Sequence, residues 1–163
     1  MDETPGVVMN TWTVQSPNAH HLEMLGQSLG RLRPTRVCVA LLGDLGAGKT
    51  TLSQGLGQGL DLLSSVTSPT FGLMVEHDGP CPMLHVDAYR LKPGEAEGIG
   101  LEEALDSWPG VAVVEWADLV VSCLPEDVIF VRLTHRSSGR AVQVWAVSER
   151  ALSWVARWHE ALP

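Results

Sequence analysis

The sequence predicts an α/β domain in three layers, with a mainly parallel central sheet between helices and a late antiparallel hairpin. Three observations predict it. An apolar run, Val37-Cys38-Val39-Ala40-Leu41-Leu42, leads through a Gly-rich turn into a helical segment. Two further apolar runs, 83–87 and 111–115, each end in a carboxylate, Asp87 and Glu115. Two late runs, 128–133 and 141–147, flank Ser137-Ser138-Gly139, which reads as a hairpin turn. Continuous apolar runs of this length fit strands buried on both faces, as in parallel sheets.

The turn after the first run carries the chemistry. Gly43-Asp44-Leu45-Gly46-Ala47-Gly48-Lys49-Thr50 matches G-x-x-x-x-G-K-[ST] at every fixed position. It also lies between a strand and a helix, the context that a P-loop NTPase requires. Chance is a poor rival: with Gly near 7% of residues, the pattern should arise in fewer than about 1% of chains this long. A phosphate chain must lie against bare backbone N–H groups. Gly43, Gly46 and Gly48 remove the Cβ atoms that would block it and permit positive φ. The helix beginning near Lys49 aims its free N–H groups and positive dipole end at the same phosphates. Lys49 adds a mobile cation for the β- and γ-phosphates, and the Thr50 hydroxyl is a hard oxygen suited to Mg²⁺.

In open α/β sheets, ligands sit at the carboxyl ends of the strands. Asp87 and Glu115 therefore point at the crevice of the Gly-rich loop. One acid can hold the Mg²⁺ water shell and the other orient an attacking water. A single strand-terminal acid is often only a helix N-cap. Two beside such a loop favour a metal role for at least one, and Glu115 follows the more hydrophobic run.

The remaining segments follow from local signals. Residues 1–10 are expected to be disordered and 11–163 to form one domain. Thr11 to Val14 is a strand candidate. Ser16-Pro17 reads as an N-cap followed by Pro at the first helical position. Leu22, Leu25, Leu29 and Leu32 then predict an amphipathic helix over 17–32. His20 and His21 at its start read as solvated. The helix after the loop should end near Gly57-Gln58-Gly59. In Val66-Thr67-Ser68-Pro69-Thr70-Phe71, the hydroxyls of Thr67, Ser68 and Thr70 are candidates for a segment that responds to the γ-phosphate. A Ser-Pro turn anchored by Phe71 explains the segment equally well. Residues 94–105 read as a short helix pair with a solvated acidic face. Residues 148–162 read as a last helix, with Leu152, Val155, Trp158 and Leu162 inward. Arg132, Arg136 and Arg140 cluster on the late strands as surface ion pairs, a nucleotide contact or a partner contact.

Composition narrows the classes. The chain has 163 residues, 45% apolar and 18% charged, with net charge −8. That length suits one domain. The acidic balance argues against tight direct nucleic-acid binding without a local basic patch. Cys38, Cys81 and Cys123 are odd in number and lack metal-ligand spacing, which fits a reducing cytoplasm. The acidic start, Met1 to Pro5, lacks the apolar core of a signal peptide. No apolar run approaches the ~20 residues needed to span a membrane.

Read together, the motifs stand in one order. Gly-Asp-Leu-Gly-Ala-Gly-Lys-Thr-Thr (43–51) comes first. Val-Thr-Ser-Pro-Thr-Phe (66–71), His-Val-Asp-Ala-Tyr-Arg-Leu (85–91) and Gly-Leu-Glu-Glu (100–103) follow. Val-Glu-Trp (114–116), Leu-Pro (124–125) and Gly-Arg (139–140) complete the set. From about residue 12 to 147 this closely resembles the TsaE (YjeE) family of bacterial P-loop ATPases. The resemblance implies a part in making N6-threonylcarbamoyladenosine (t6A) at position 37 of tRNA. TsaE-like proteins work there with TsaB, TsaC and TsaD, binding the TsaB–TsaD heterodimer and using ATP. It implies that Leu45, Gly46, Ala47, Gly48, Lys49 and Thr50, with Thr51, cradle the phosphates of ATP. Thr50 and Glu115 would hold Mg²⁺, and Asp87, the second acidic position at the metal, would be needed for hydrolysis. Thr67, Ser68 and Thr70 match a switch-like loop, and Trp116 matches a Trp beside the metal acid. Gly139 or Arg140 would approach the base.

Two rivals stand beside it. A small-molecule P-loop kinase needs a second pocket and an Arg-rich lid, and its only support is Arg132, Arg136 and Arg140. A nucleotide-gated assembly module would use ATP mainly as a switch. A GTPase lacks support: the only asparagines are Asn10 and Asn18, so N-K-x-D is absent.

Overall fold

The computed structural model describes residues 11–67 and 73–163. The expectations for residues 1–10, and for Ser68 and Thr70 of the hydroxyl-rich segment, fall outside the described residues.

The strands are β1 (Trp12–Ser16), β2 (Val37–Leu42), β3 (Met74–His77), β4 (Met83–Asp87), β5 (Val111–Glu115), β6 (Val128–Arg136) and β7 (Gly139–Ala146). They form one seven-stranded sheet in the order β1-β7-β6-β2-β5-β4-β3. The centre, β6-β2-β5-β4, is parallel. β7 returns antiparallel on β6, β1 lies antiparallel on β7, and β3 antiparallel on β4. The late hairpin is thus as expected, and a second antiparallel edge, β3, joins it. β3 is four residues long, too short for a pattern of its own to stand out. β2, which feeds the Gly-rich loop, lies between β5 and β6. Its buried residues follow the continuous apolar pattern of a strand covered on both faces.

Alternation along the strands builds two cores. Val39, Leu41, Val111 and Val113 face α1 (Ala19–Arg31), α2 (Lys49–Gly59) and the last helix. Cys38, Ala40, Ala112 and Val114 face α3 (Glu95–Gly98), α4 (Leu101–Ser107) and a 3₁₀ segment, Ala117–Cys123. The last helix, α5 (Glu149–Glu160), buries Ala151, Trp154, Val155 and Trp158. Leu152 and Leu162 are only partly buried. The Trp158 indole donates to the Leu25 carbonyl (3.1 Å) and to Ser28 Oγ (3.0 Å), and so pins α5 to α1. Trp12 meets Trp158 edge-on at 5.0 Å.

The first helix begins differently from the expectation. Ser16 ends β1 and is buried, and Asn18 is the N-cap, its side chain accepting from the His21 N–H at 2.8 Å. Pairing of Ser16 with Arg140 in the sheet outcompetes the local capping signal. α1 and α2 pack backbone to backbone. A Cβ on Gly26 would strike the Leu52 carbonyl oxygen, and one on Gly55 that of Glu23. Gly30 and Gly59 repeat the arrangement one turn on. This contact fixes α2, and with it the end of the Gly-rich loop.

Candidate functional site

The loop between β2 and α2 turns on three left-handed glycines, Gly43 (φ 146°), Gly46 (φ 77°) and Gly48 (φ 110°). A Cβ on Gly43 would meet the Leu133 carbonyl, whereas Gly46 opens onto free space. Gly48 is the N-cap of α2, and no side chain caps that end. The positive pole of an 11-residue helix therefore opens into the loop's concavity. Leu45 stands exposed at the tip and Ala47 is buried beneath it.

Lys49 is buried, and its Nζ donates to the carbonyls of Gly43 (2.5 Å) and Asp44 (2.9 Å). The ammonium lies 4.0 Å from the centre of the Trp116 ring, a cation–π contact. Burial pushes the Lys49 pKa below its ordinary value; Glu115, then Asp118, Asp44 and Asp87, oppose that shift. Trp116 sits at φ 58° directly after Glu115, so the chain turns there instead of extending β5. Tyr89 packs on the same indole at 4.8 Å.

Thr50 Oγ1 donates to Glu115 Oε1 at 2.9 Å, and His85 Nε2 donates to Glu115 Oε2 at 2.5 Å. Glu115 and His85 are both buried. β4 and β5 pair with Asp87 opposite Glu115 and His85 opposite Val113. Side chains alternate along a strand, so His85, Asp87 and Glu115 share the face on which α2 packs. Asp87 is half-buried, and its Oδ1 accepts from the Tyr89 N–H at 3.0 Å. It thus shapes the turn after β4 as well as facing the crevice. Among the described residues no three His, Cys, Asp or Glu side chains converge as a closed metal cage.

Arg140 reaches the loop from the sheet side. Its Nε donates to the Ala47 carbonyl (3.0 Å), Nη2 to that of Gly46 (3.1 Å) and Nη1 to that of Gly139 (3.0 Å). Gly139 (φ 95°) packs against Ser16 and Pro17, where a Cβ would meet backbone. The other late arginines diverge. Arg132 lies over Trp145 at 5.2 Å, and Arg136 donates to the His135 carbonyl. Among the described residues none of the three forms an ion pair.

The fold therefore gathers Lys49, Thr50, Asp87, Glu115 and Trp116 around one loop and brings Arg140 beneath it. Thr51 is half-buried in the first turn of α2, and Thr67 is exposed past that helix's end. Sequence reasoning missed His85. Its signal was the spacing of two from Asp87, which puts both on one face of a strand. It also missed the acceptors of Arg140, which depend on a contact across 93 residues. Cys38, Cys81 and Cys123 are buried and free, with burial pushing the Cys38 thiol up to about 12. No helix among the described residues is long and apolar enough to cross a membrane.

A Gly-rich loop running from a central parallel strand into a helix, with strand-end carboxylates beside it, defines a P-loop fold. The crystal structure of Bacillus subtilis YdiB has this fold: TM-score 0.75, 24% identity, 92% of this chain and 95% of that one covered. Residues 16–142 match the family described as threonylcarbamoyl adenosine biosynthesis protein TsaE. The chain belongs to the TsaE family, which acts in t6A biosynthesis. A relative from Streptomyces coelicolor, named tRNA threonylcarbamoyladenosine biosynthesis protein TsaE, is 42% identical over 143 residues, covering 84% of this chain and 93% of its own. A protein of the same name from Nostoc sp. is 41% identical over 119 residues, covering 71% and 73%.

Proposed function

We propose that this chain binds ATP with Mg²⁺ in the loop 43–50 and hydrolyses it as a cytoplasmic accessory protein of t6A formation at position 37 of tRNA. Its partner is the TsaB–TsaD heterodimer, with TsaC acting in the same system. The observation that carries the reading is the contact of Thr50 Oγ1 with Glu115 Oε1 at 2.9 Å. Two hard oxygens from distant segments meet at the open N-terminus of α2, beside a buried ammonium. Mg²⁺ is ordinarily held by one or two carboxylates, a hydroxyl, waters and substrate phosphates rather than by an all-protein cage, and this donor set fits it.

In this reading the backbone N–H groups of Leu45 to Thr51 take the phosphates, and Lys49 gives its ammonium to them. Thr50 and Glu115 hold the metal, with Asp87 on its water shell. When bound, Mg²⁺ neutralises charge that develops on the transferred phosphoryl group. Asp87, half-buried at the crevice, accepts a hydrogen bond from the attacking water. Thr67, Ser68 and Thr70 respond to the γ-phosphate. Gly139 or Arg140 approaches the nucleotide base, and Arg140 also braces the loop through the Gly46 and Ala47 carbonyls. The kinase alternative loses its support, because Arg132, Arg136 and Arg140 each point to a different partner.

The test is ATP turnover by the purified chain, alone and with TsaB–TsaD. A clear rise on adding the heterodimer is the expected result. Equal, negligible turnover in both, together with equal capture of the heterodimer in ATP and in ADP, would sink the proposal.

A further inference from the structure

Glu115 presents two oxygens, and they have different partners. Oε1 accepts from Thr50, while Oε2 accepts from His85 Nε2 at 2.5 Å. His85 is fully buried in the middle of β4, two residues before Asp87. A carboxylate only accepts, so Nε2 carries the hydrogen. The opposite ring nitrogen, Nδ1, is buried and has no hydrogen-bond partner among the described residues. The His77 ring lies tilted beside that of His85 at 6.2 Å without a hydrogen bond, so among the described residues the bond to Glu115 is what the imidazole's polarity is used for. An imidazole at a fully buried position, on the sheet face it shares with Met83 and Val113, costs desolvation that an apolar residue would avoid.

We infer that His85 is a positioning residue for Mg²⁺ in this site: its Nε2–H holds Glu115 Oε2 and so turns Oε1 toward Thr50. The inference rests on the ATP-and-Mg²⁺ reading given above. The physical reason is rotational. A glutamate has three side-chain torsions, the last of them broad, and a donor on one oxygen fixes where the other points. Partners of this kind, outside the ligands themselves, typically contribute 10–100-fold to metal affinity. The imidazole is suited to the task because β4 holds it rigidly, one strand away and diagonal to Glu115.

The test compares His85→Gln, His85→Asn and His85→Leu with the parent chain. Gln places an N–H close to where Nε2 lies; Asn stops short of Glu115; Leu has no donor. A fluorescent ATP analogue is titrated with EDTA and then with increasing Mg²⁺, and thermal unfolding is recorded for each variant. In EDTA, all variants should bind the analogue within about threefold of the parent. The Mg²⁺ concentration for half its effect should rise about tenfold or more in Leu and Asn, and return to within about threefold of the parent in Gln. If Leu fails to fold, the Gln–Asn contrast decides alone. Unchanged Mg²⁺ dependence in folded Leu or Asn, or a Gln variant no better than Asn, would overturn the inference. A parent whose analogue binding ignores Mg²⁺ would instead overturn the ATP-and-Mg²⁺ reading itself.

Discussion

Thr50 and Glu115, 65 residues apart in the chain, are joined by a hydrogen bond of 2.9 Å. One is in the first turn of α2 and the other is the last residue of β5. The bond exists because β5 is the direct neighbour of β2, in parallel register, with Glu115 beside Leu41. The loop that leaves β2 therefore has to pass the tip of β5. The site is made by adjacency of strands.

Lys49→Ala should weaken binding of a fluorescent ATP analogue by about 10- to 150-fold, since a charge-assisted hydrogen bond contributes roughly 1.5–3 kcal/mol. Equilibrium titration measures it. A variant that bound like the parent would show that the phosphates lie elsewhere.

Affinity should also depend on alkaline pH. Burial holds the Lys49 pKa below 10.5 in the free chain, and bound phosphates would raise it. A pKa raised on binding contributes affinity that is complete below the free value and is lost as pH rises through the bound one. Affinity should therefore begin to fall as the pH rises past the free-chain value, which burial holds below the ordinary lysine range, and be lost through the bound one. Lys49→Arg, whose charge persists, should show a flatter profile. Identical profiles would remove Lys49 as the cause.

Glu115→Ala and Asp87→Ala should separate binding from turnover. Each should keep nucleotide affinity in EDTA within about fivefold, because the backbone N–H groups and Lys49 are intact. Turnover with the heterodimer should fall by roughly 10²-fold or more, the scale of a lost acid–base or charge-positioning group. Steady-state assay beside titration distinguishes the two. Full turnover in the Asp87 variant would return that residue to shaping the turn at Tyr89.

Arg140→Met keeps most of the stem and removes the donors to Gly46 and Ala47. With two loop carbonyls released, ATP analogue affinity should drop several-fold, and stability should fall by about 1–3 kcal/mol. Urea unfolding and titration on the same preparation measure both. A variant with lower stability but parental affinity would confine Arg140 to the hairpin.

Gly55→Ala tests the bed on which the loop rests. In a free helix this exchange stabilises by roughly 0.5–1 kcal/mol. Here the new Cβ would strike the Glu23 carbonyl. Overpacking costs of about 1–3 kcal/mol then outweigh the propensity gain. Urea unfolding should show net loss; a gain would mean that α1 and α2 separate more easily than their contact suggests.

Much of this was legible locally. The apolar run 37–42 gave β2, and the glycines at 43, 46 and 48 are all in the left-handed region. The two strand-end acids sit side by side. What local pattern misled about was Ser16, whose capping signal yielded to sheet pairing with Arg140. Four-residue β3 and the 3₁₀ segment left no periodic trace to read.

The loop and its lysine are encoded locally, because steric freedom at glycine and the reach of one side chain are properties of neighbouring residues. That His85 holds Glu115, that Arg140 braces Gly46 and Ala47, and that α2 is seated on α1 through glycines follow from the folded arrangement alone. Those contacts depend on strand order and on which face each residue takes. Both are set by burial of the whole sheet between two helical layers, which no short stretch of chain encodes.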